Sequence, residues 1–275
     1  MFLDVGDKVR KCRKLYGIRQ NDFKPFGVSQ HYLSMIEGHK RQPTLEMIDR
    51  IYDAFYELTD GKIKKVYSKE TFKETPDEQV YQYLLKKSRE GNIEKHYEQS
   101  IVLAKQHHLS DIVYELNFQM GTYERKRLNY DASTEYFIDA IQGGNHDNEL
   151  LFRCYREIAF NMKQTQSYKS GVLYYKLTLK YMNPIHTILR YRFLYNLAHM
   201  YIGLDDYEQA ISQLDEIIEH CESVETKAGS ILLKCHAYLN QAKYHRAIKL
   251  LNDYVENKLY DPYELEPMSR TLKKT

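Results

Sequence analysis

Leu33 and Ile36 lie three positions apart, and Leu45, Ile48, Ile51 and Phe55 continue the same three- and four-residue rhythm, so residues 1–58 read as short amphipathic helices. The polar residues between them supply the punctuation. Gln20 opens a short helix that Pro25 and Gly27 stop. Val28 and Ser29 open a second helix, with Ser29 as N-cap, which runs to Glu37 and ends at Gly38. Leu33 and Ile36 are predicted to face the core of this segment, and Gln30, His31, Tyr32 and Ser34 to face outward. Pro43 precedes a third helix.

Past residue 76 strand signals are nearly absent, and a tyrosine-plus-small-residue beat takes over. It reads Tyr97 with Ser100, Tyr130 with Ala132, Tyr168 with Gly171, Tyr207 with Ala210, and Tyr244 with Ala247. Small residues recurring at intervals of 32, 39, 39 and 37 residues predict helical hairpins that bury their apolar faces only against neighbouring hairpins. The Tyr130 to Ala132 spacing is one residue short. The lysine-rich, weakly periodic stretch 59–76 reads as a hinge-like linker. Pro262 and Pro267 break residues 259–275 too often for a full hairpin, which leaves a tail or cap.

Composition narrows the classes. A chain of 275 residues accommodates two units, and no run approaches the roughly 20 apolar residues of a membrane span. The first residues lack the apolar core and cleavage site of a secretion signal, so a cytoplasmic location is expected. Cys12, Cys154, Cys221 and Cys235 are widely separated, which argues against a disulfide frame or a zinc site and predicts plain thiols. His107 and His108 are adjacent and do not share a helix face, so no metal is expected there. No nucleophile–base pair or phosphate loop stands out, and no cofactor or enzymatic activity is predicted.

Charge is unevenly placed. Residues 1–73 hold 15 Lys+Arg against 10 Asp+Glu, a net of +5, whereas residues 74–275 hold 25 against 28, a net of −3. The basic excess, in Lys8, Arg10, Lys11, Lys14, Arg19, Lys24, His39, Lys40 and Arg41, suits salt-dependent phosphate contacts.

Together these marks resemble a known reader. Arg13, Gly17-Ile18-x-Gln20, Gly27-Val28-Ser29, Leu33-Ser34-x-Ile36-Glu37-x-Gly38 and Pro43 are similar to the Xre/Cro type of helix-turn-helix over about residues 5–58. The Gln20 to Glu37 spacing is one residue shorter than usual, as in peptide-sensing regulators. The resemblance implies an internal Arg13–Glu37 ion pair and a DNA interface on Arg19, Gln20, Ser29, Gln30, His31, Tyr32, Ser34, Lys40 and Arg41.

Residues 77–258 resemble tetratricopeptide repeats, most clearly in Leu194-x-x-Leu197-Ala198-x-x-Tyr201 followed by Tyr207-x-x-Ala210-x-x-x-Leu214. The order of the two parts resembles the RRNPP family of peptide-pheromone regulators. That resemblance implies an all-α chain in which a right-handed superhelix of about five helix pairs binds a short signalling peptide in its concave groove. It also implies a homodimer on a palindromic double-stranded operator. Groove residues are expected on the first helix of each pair, opposite Leu194, Leu197 and Tyr201: Asn117, Arg153, Arg156, Phe160, Lys163, Arg192, Tyr195, Asn196, His199, His236 and Asn240. Asn196 is the leading candidate, because its amide both donates to and accepts from a peptide backbone. Arg153, Arg156, Lys163 and Arg192 would suit a carboxylate. The alternative is a repeat adaptor for a protein partner, with the N-terminal reader as a tether.

Overall fold

A computed structural model describes residues 2–144, 147–184 and 187–256. Among these, every regular element is helical. Two compact units divide between Ile112 and Val113.

In the first unit, Asp4 caps α1 (Val5–Leu15) by accepting from the Asp7 N–H at 2.8 Å. A 3-10 turn follows over Gln20–Phe26, ended by Gly27 at φ 76°, a backbone state that favours glycine. Ser29 caps α2 (Gln30–Glu37), its Oγ accepting from Tyr32 N at 3.1 Å. Thr44 caps α3 (Leu45–Leu58) in the same way. The predicted starts and stops therefore hold, although the Gln20 segment winds as a 3-10 turn rather than an α-helix. Leu33, Ile36, Ile48, Ile51 and Phe55 are buried as the periodicity predicts, whereas Leu45 is exposed.

Residues 59–76 are not a loose connection. They fold into a 3-10 turn over Lys62–Lys65 and a short helix, α4 (Lys69–Lys73). Ile63 and Phe72 are fully buried in the same core as Val9, Phe23, Leu33, Ile51 and Phe55. Two apolar anchors nine positions apart follow no helical period, which is why the lysines dominate the local reading. Lys8 completes the attachment. Its ammonium, fully buried, donates to the carbonyls of Thr71 (2.7 Å), Phe72 (3.2 Å) and Glu74 (2.6 Å) at the end of α4. Burial pushes the Lys8 pKa below the ordinary lysine value, with Glu74 opposing the shift.

Lys69 and Lys73 also clamp α4 to Asp49 on α3, at 3.4 and 2.7 Å. Hydrogen bonding from Lys73, assisted by Lys69, holds the Asp49 carboxyl below its usual range. A depressed folded pKa contributes stability above the unfolded value, which is lost as pH falls through the folded one. Urea unfolding of wild type and Asp49→Asn should therefore differ at pH 6, with the gap shrinking once pH falls below ~4, the unfolded carboxylate range, and closing below the lowered folded value. A gap that persists into acid would rule out the charge as its cause.

A capping box between Thr75 and Glu78 starts α5 (Pro76–Arg89), which is followed by α6 (Ile93–Gln106). The Gln79 side chain exchanges two hydrogen bonds with Leu3, donating to its carbonyl at 2.7 Å and accepting from its N–H at 3.2 Å. The first helix pair thus belongs with the N-terminal unit. The compact division falls not at residues 59–76 but inside the next helix, α7 (Ser110–Lys126).

The second unit continues the pairs: α8 (Tyr130–Gly143), α9 (Asn148–Gln164), α10 (Tyr168–Tyr181), α11 (Thr187–Ile202), α12 (Tyr207–His220), α13 (Val224–Asn240) and α14 (Tyr244–Glu256). From α8 onward each helix packs on the next, and α11 also meets α13. The chain is therefore a packed series of neighbouring helix pairs. The small residues of the beat lie where helices approach. A Cβ at Gly171 would come within 2.6 Å of Met200 Sδ, and Ala210 and Ala247 are buried.

In the second repeat the residue at that position is Ser133, not Ala132. Ser133 is fully buried and donates to the Gly121 carbonyl at 2.8 Å, which restores the three-residue offset from Tyr130. All four cysteines are buried and free, and burial pushes the Cys12 thiol up to about 11. Residues 259–275, expected as a tail or cap, lie outside the described residues.

Candidate functional site

Two surfaces collect the predicted residues, one in each unit. On the first, α2 turns Leu33 and Ile36 inward, with Val28 buried just before its cap, and leaves Gln30, His31 and Ser34 exposed. A surface cleft there is lined by Gln20, Asn21, Lys24, Ser29, Gln30, His31 and Ser34. Exposed Lys40 follows α2, and Arg41 stacks its guanidinium over the Tyr32 ring at 4.8 Å.

This face is fixed from beneath by a charged cluster. Arg13 on α1 donates through Nε and Nη2 to the two carboxylate oxygens of Glu37, at 2.8 and 2.9 Å, as the resemblance implied. Gln20 Nε2 adds a third donor to Glu37 at 3.0 Å, and Arg10 donates to the Glu37 carbonyl. Glu37 itself is buried, with 4% of its surface exposed. The cluster therefore ties α1, the 3-10 turn and the end of α2 together.

Several predicted contacts are otherwise engaged. Lys8 is inside and cannot reach a phosphate. Gln20 spends its amide N–H on Glu37, and Ser29 spends its hydroxyl on the cap. His39, held at φ 56°, contacts the carboxylates of Asp4 (2.7 Å) and Asp7 (3.4 Å), so its ring is engaged within the N-terminal unit. Arg19, Lys24, Gln30, His31, Ser34, Lys40 and Arg41 remain on the surface.

In the second unit the predicted groove residues separate into two groups. Toward α7, Arg153 stacks over the Phe118 ring at 4.3 Å, and the Arg125 guanidinium lies over Phe160 at 5.2 Å. Arg156 and Arg125 both pair with Glu157, at 2.7 and 3.1 Å. These arginines are matched by rings or by Glu157, so the expected four-residue cationic cluster does not form. Asn117, predicted to face a ligand, is only 2% exposed and belongs to the interior, because its turn of α7 packs inward.

The other group comes together across α9, α11 and α13. Lys163 Nζ donates to Asn196 Oδ1 at 2.7 Å. Although part of its surface is exposed, desolvation of the His199 ring, with smaller contributions from Lys163 and His236, pushes its pKa below the ordinary histidine value. Burial alone lowers that of Lys163. Tyr195 is half-buried beside Gly229, and Arg192 and Asn240 are exposed.

Sequence reasoning missed the polar ties beneath these surfaces. Asn161, fully buried, donates to Ser133 Oγ at 2.9 Å and Thr134 Oγ1 at 3.1 Å, joining α9 to α8. The three-residue offset from Tyr130 would have found Ser133, but no local pattern marks Asn161. No known protein family matches the chain, and a search of curated proteins gives no significant relative. Among the described residues, no helix is long and apolar enough to cross a membrane.

Proposed function

We propose that this protein is a sequence-specific DNA-binding transcription regulator controlled by a short peptide held on its helix pairs. The observation that carries the reading is the exposed face of α2, where Gln30, His31 and Ser34 project from a short capped helix braced by the Arg13–Glu37 pair. A helix of this kind enters the major groove, with its early side chains at base edges and flanking Arg19, Lys24, Lys40 and Arg41 at phosphates. The N-terminal unit then acts as a helix-turn-helix reader. The helix pairs behind it form a tetratricopeptide-like superhelix, whose first helices present Lys163, Tyr195, Asn196, His199 and His236 to the peptide.

One α2 spans a single half-site, so two copies of the chain, related by two-fold symmetry, address a palindromic operator. Peptide controls DNA affinity only by binding one arrangement of the protein better than the other, and about 1–3 kcal/mol of coupling suffices for a usable switch.

The test is duplex selection from a random pool at low ionic strength, followed by binding titrations on the selected site. Gln30→Ala should cost about 1–3 kcal/mol and relax preference at one base position. Arg41→Ala should weaken every duplex alike and reduce the salt slope by about 1. A pool of heptapeptides should then shift the titration midpoint. Recovery of no preferred sequence would reject the reader, and equal, uniform losses in both variants would reduce α2 to a phosphate clamp.

A further inference from the structure

The group across α9, α11 and α13 has an unusual charge balance. Lys163 is half-buried, and its bond in this region is to a neutral amide, Asn196 Oδ1. None of Lys163, His199 and His236 forms an ion pair with a carboxylate among the described residues. Four other basic residues of the same unit do have a carboxylate partner. Arg125 and Arg156 share Glu157, Arg190 pairs with Glu216, and Lys234 pairs with Asp215. This spot therefore holds a half-buried ammonium beside two imidazoles with no carboxylate of the chain paired to it.

We propose that Lys163, Asn196, His199 and His236 form a carboxylate-binding site. The Lys163 ammonium is the primary donor, the Asn196 amide N–H, left free when its oxygen takes Lys163, is the second, and the two imidazoles supply N–H donors from the open side. Bringing a cation into partial burial has a cost that an arriving carboxylate offsets, because the pair exchanges water for a charge-assisted hydrogen bond. The lowered pKa values of Lys163 and His199 fit a spot that holds its positive charge at a disadvantage until an anion arrives. Assigning the carboxylate to a peptide rests on the function proposed above. Its source is then a peptide C-terminus or an Asp or Glu side chain.

The full-length protein can be tested with two probes. Succinate, titrated at constant ionic strength, should move the ring NMR signals of His199 and His236 in wild type and leave them unmoved in Lys163→Met. Labelled heptapeptide pools, followed by anisotropy, come in three forms: free C-terminus, amidated C-terminus, and free C-terminus without Asp or Glu. Lys163→Met should weaken the best pool about ten- to a hundredfold, and Lys163→Arg should recover part of the loss. Loss on amidation assigns the carboxylate to the C-terminus, and loss on removing Asp and Glu assigns it to a side chain. Thermal melting guards against misfolding, since Lys163→Met removes a charge that burial disfavours and should not lower the midpoint.

Succinate that moves neither ring, or a Lys163→Met protein that binds every probe as wild type does, overturns the site. Succinate binding without binding of any peptide pool upholds the site and rejects the peptide reading. Peptide binding that is indifferent to both amidation and acidic residues upholds the peptide reading and rejects the site.

Discussion

Phe72→Ala should destabilise the N-terminal unit by about 3–5 kcal/mol, the usual cost of emptying a phenylalanine site in a packed core. The ring is fully buried and makes edge contacts with Tyr52, Phe55 and Tyr67 at 5.4, 6.1 and 6.0 Å. Its loss also removes the reason for α4 to stay docked, and with it the three carbonyls that satisfy Lys8. A buried ammonium without acceptors adds its own penalty. Native-state hydrogen exchange measures the effect within this unit. The core amides of Val9 and Ile51 should lose protection by two to three orders of magnitude, about 1.4 kcal/mol for each factor of ten. Were residues 59–76 a hinge, the substitution would behave as a surface change, within about 0.5 kcal/mol. Exchange rates equal to wild type would return that segment to the status of a linker.

The second large effect concerns Glu37. Removing one partner of a buried ion pair costs about 3–5 kcal/mol, because the other charge is left desolvated. Arg13 keeps part of its side chain in solvent, 19%, which places Glu37→Ala toward the lower end. The variant strands three donors at once: Arg13 Nε and Nη2 and Gln20 Nε2. Glu37→Gln keeps an acceptor in place but not the charge, and should cost less than the alanine variant. Urea unfolding orders the three proteins, and DNA titration should follow the same order, because the cluster fixes the angle at which α2 leaves the core. Exposed Gln30→Ala, by contrast, should leave the unfolding midpoint unchanged. A Glu37→Ala protein as stable as wild type would mean that apolar packing alone orients α2.

How these elements were anticipated follows from their range. The caps at Ser29 and Gly27 act on N–H and C=O groups within four residues, so composition at those positions suffices to start and stop a helix. The stripe of Leu33 and Ile36 chooses the buried face of α2, and by elimination the face that carries Gln30, His31 and Ser34. The beat of tyrosine and small residues announces the helix pairs, since close approach excludes larger side chains at Gly171, Ala210 and Ala247. Even the slip at Ala132 is a slip of one residue within a correctly placed helix.

Other features depend on partners far away in the chain. Nothing near Lys8 says that a lysine will be inside, because its acceptors lie more than sixty residues later, at Thr71, Phe72 and Glu74. Phe72 becomes a core residue only when three other aromatic rings surround it. Likewise, Arg153, Arg156 and Lys163 share one helix and look alike in sequence. Rings on α7 and the Glu157 carboxylate engage the first two, whereas Asn196 on α11 and the imidazoles nearby leave the third short of an anion. Local backbone chemistry thus sets where helices begin, end and turn their apolar sides. The pairing of charges and the filling of the core depend on which surfaces meet, because desolvation and Coulomb energy belong to neighbours in space, and those neighbours are assembled only when the whole chain folds.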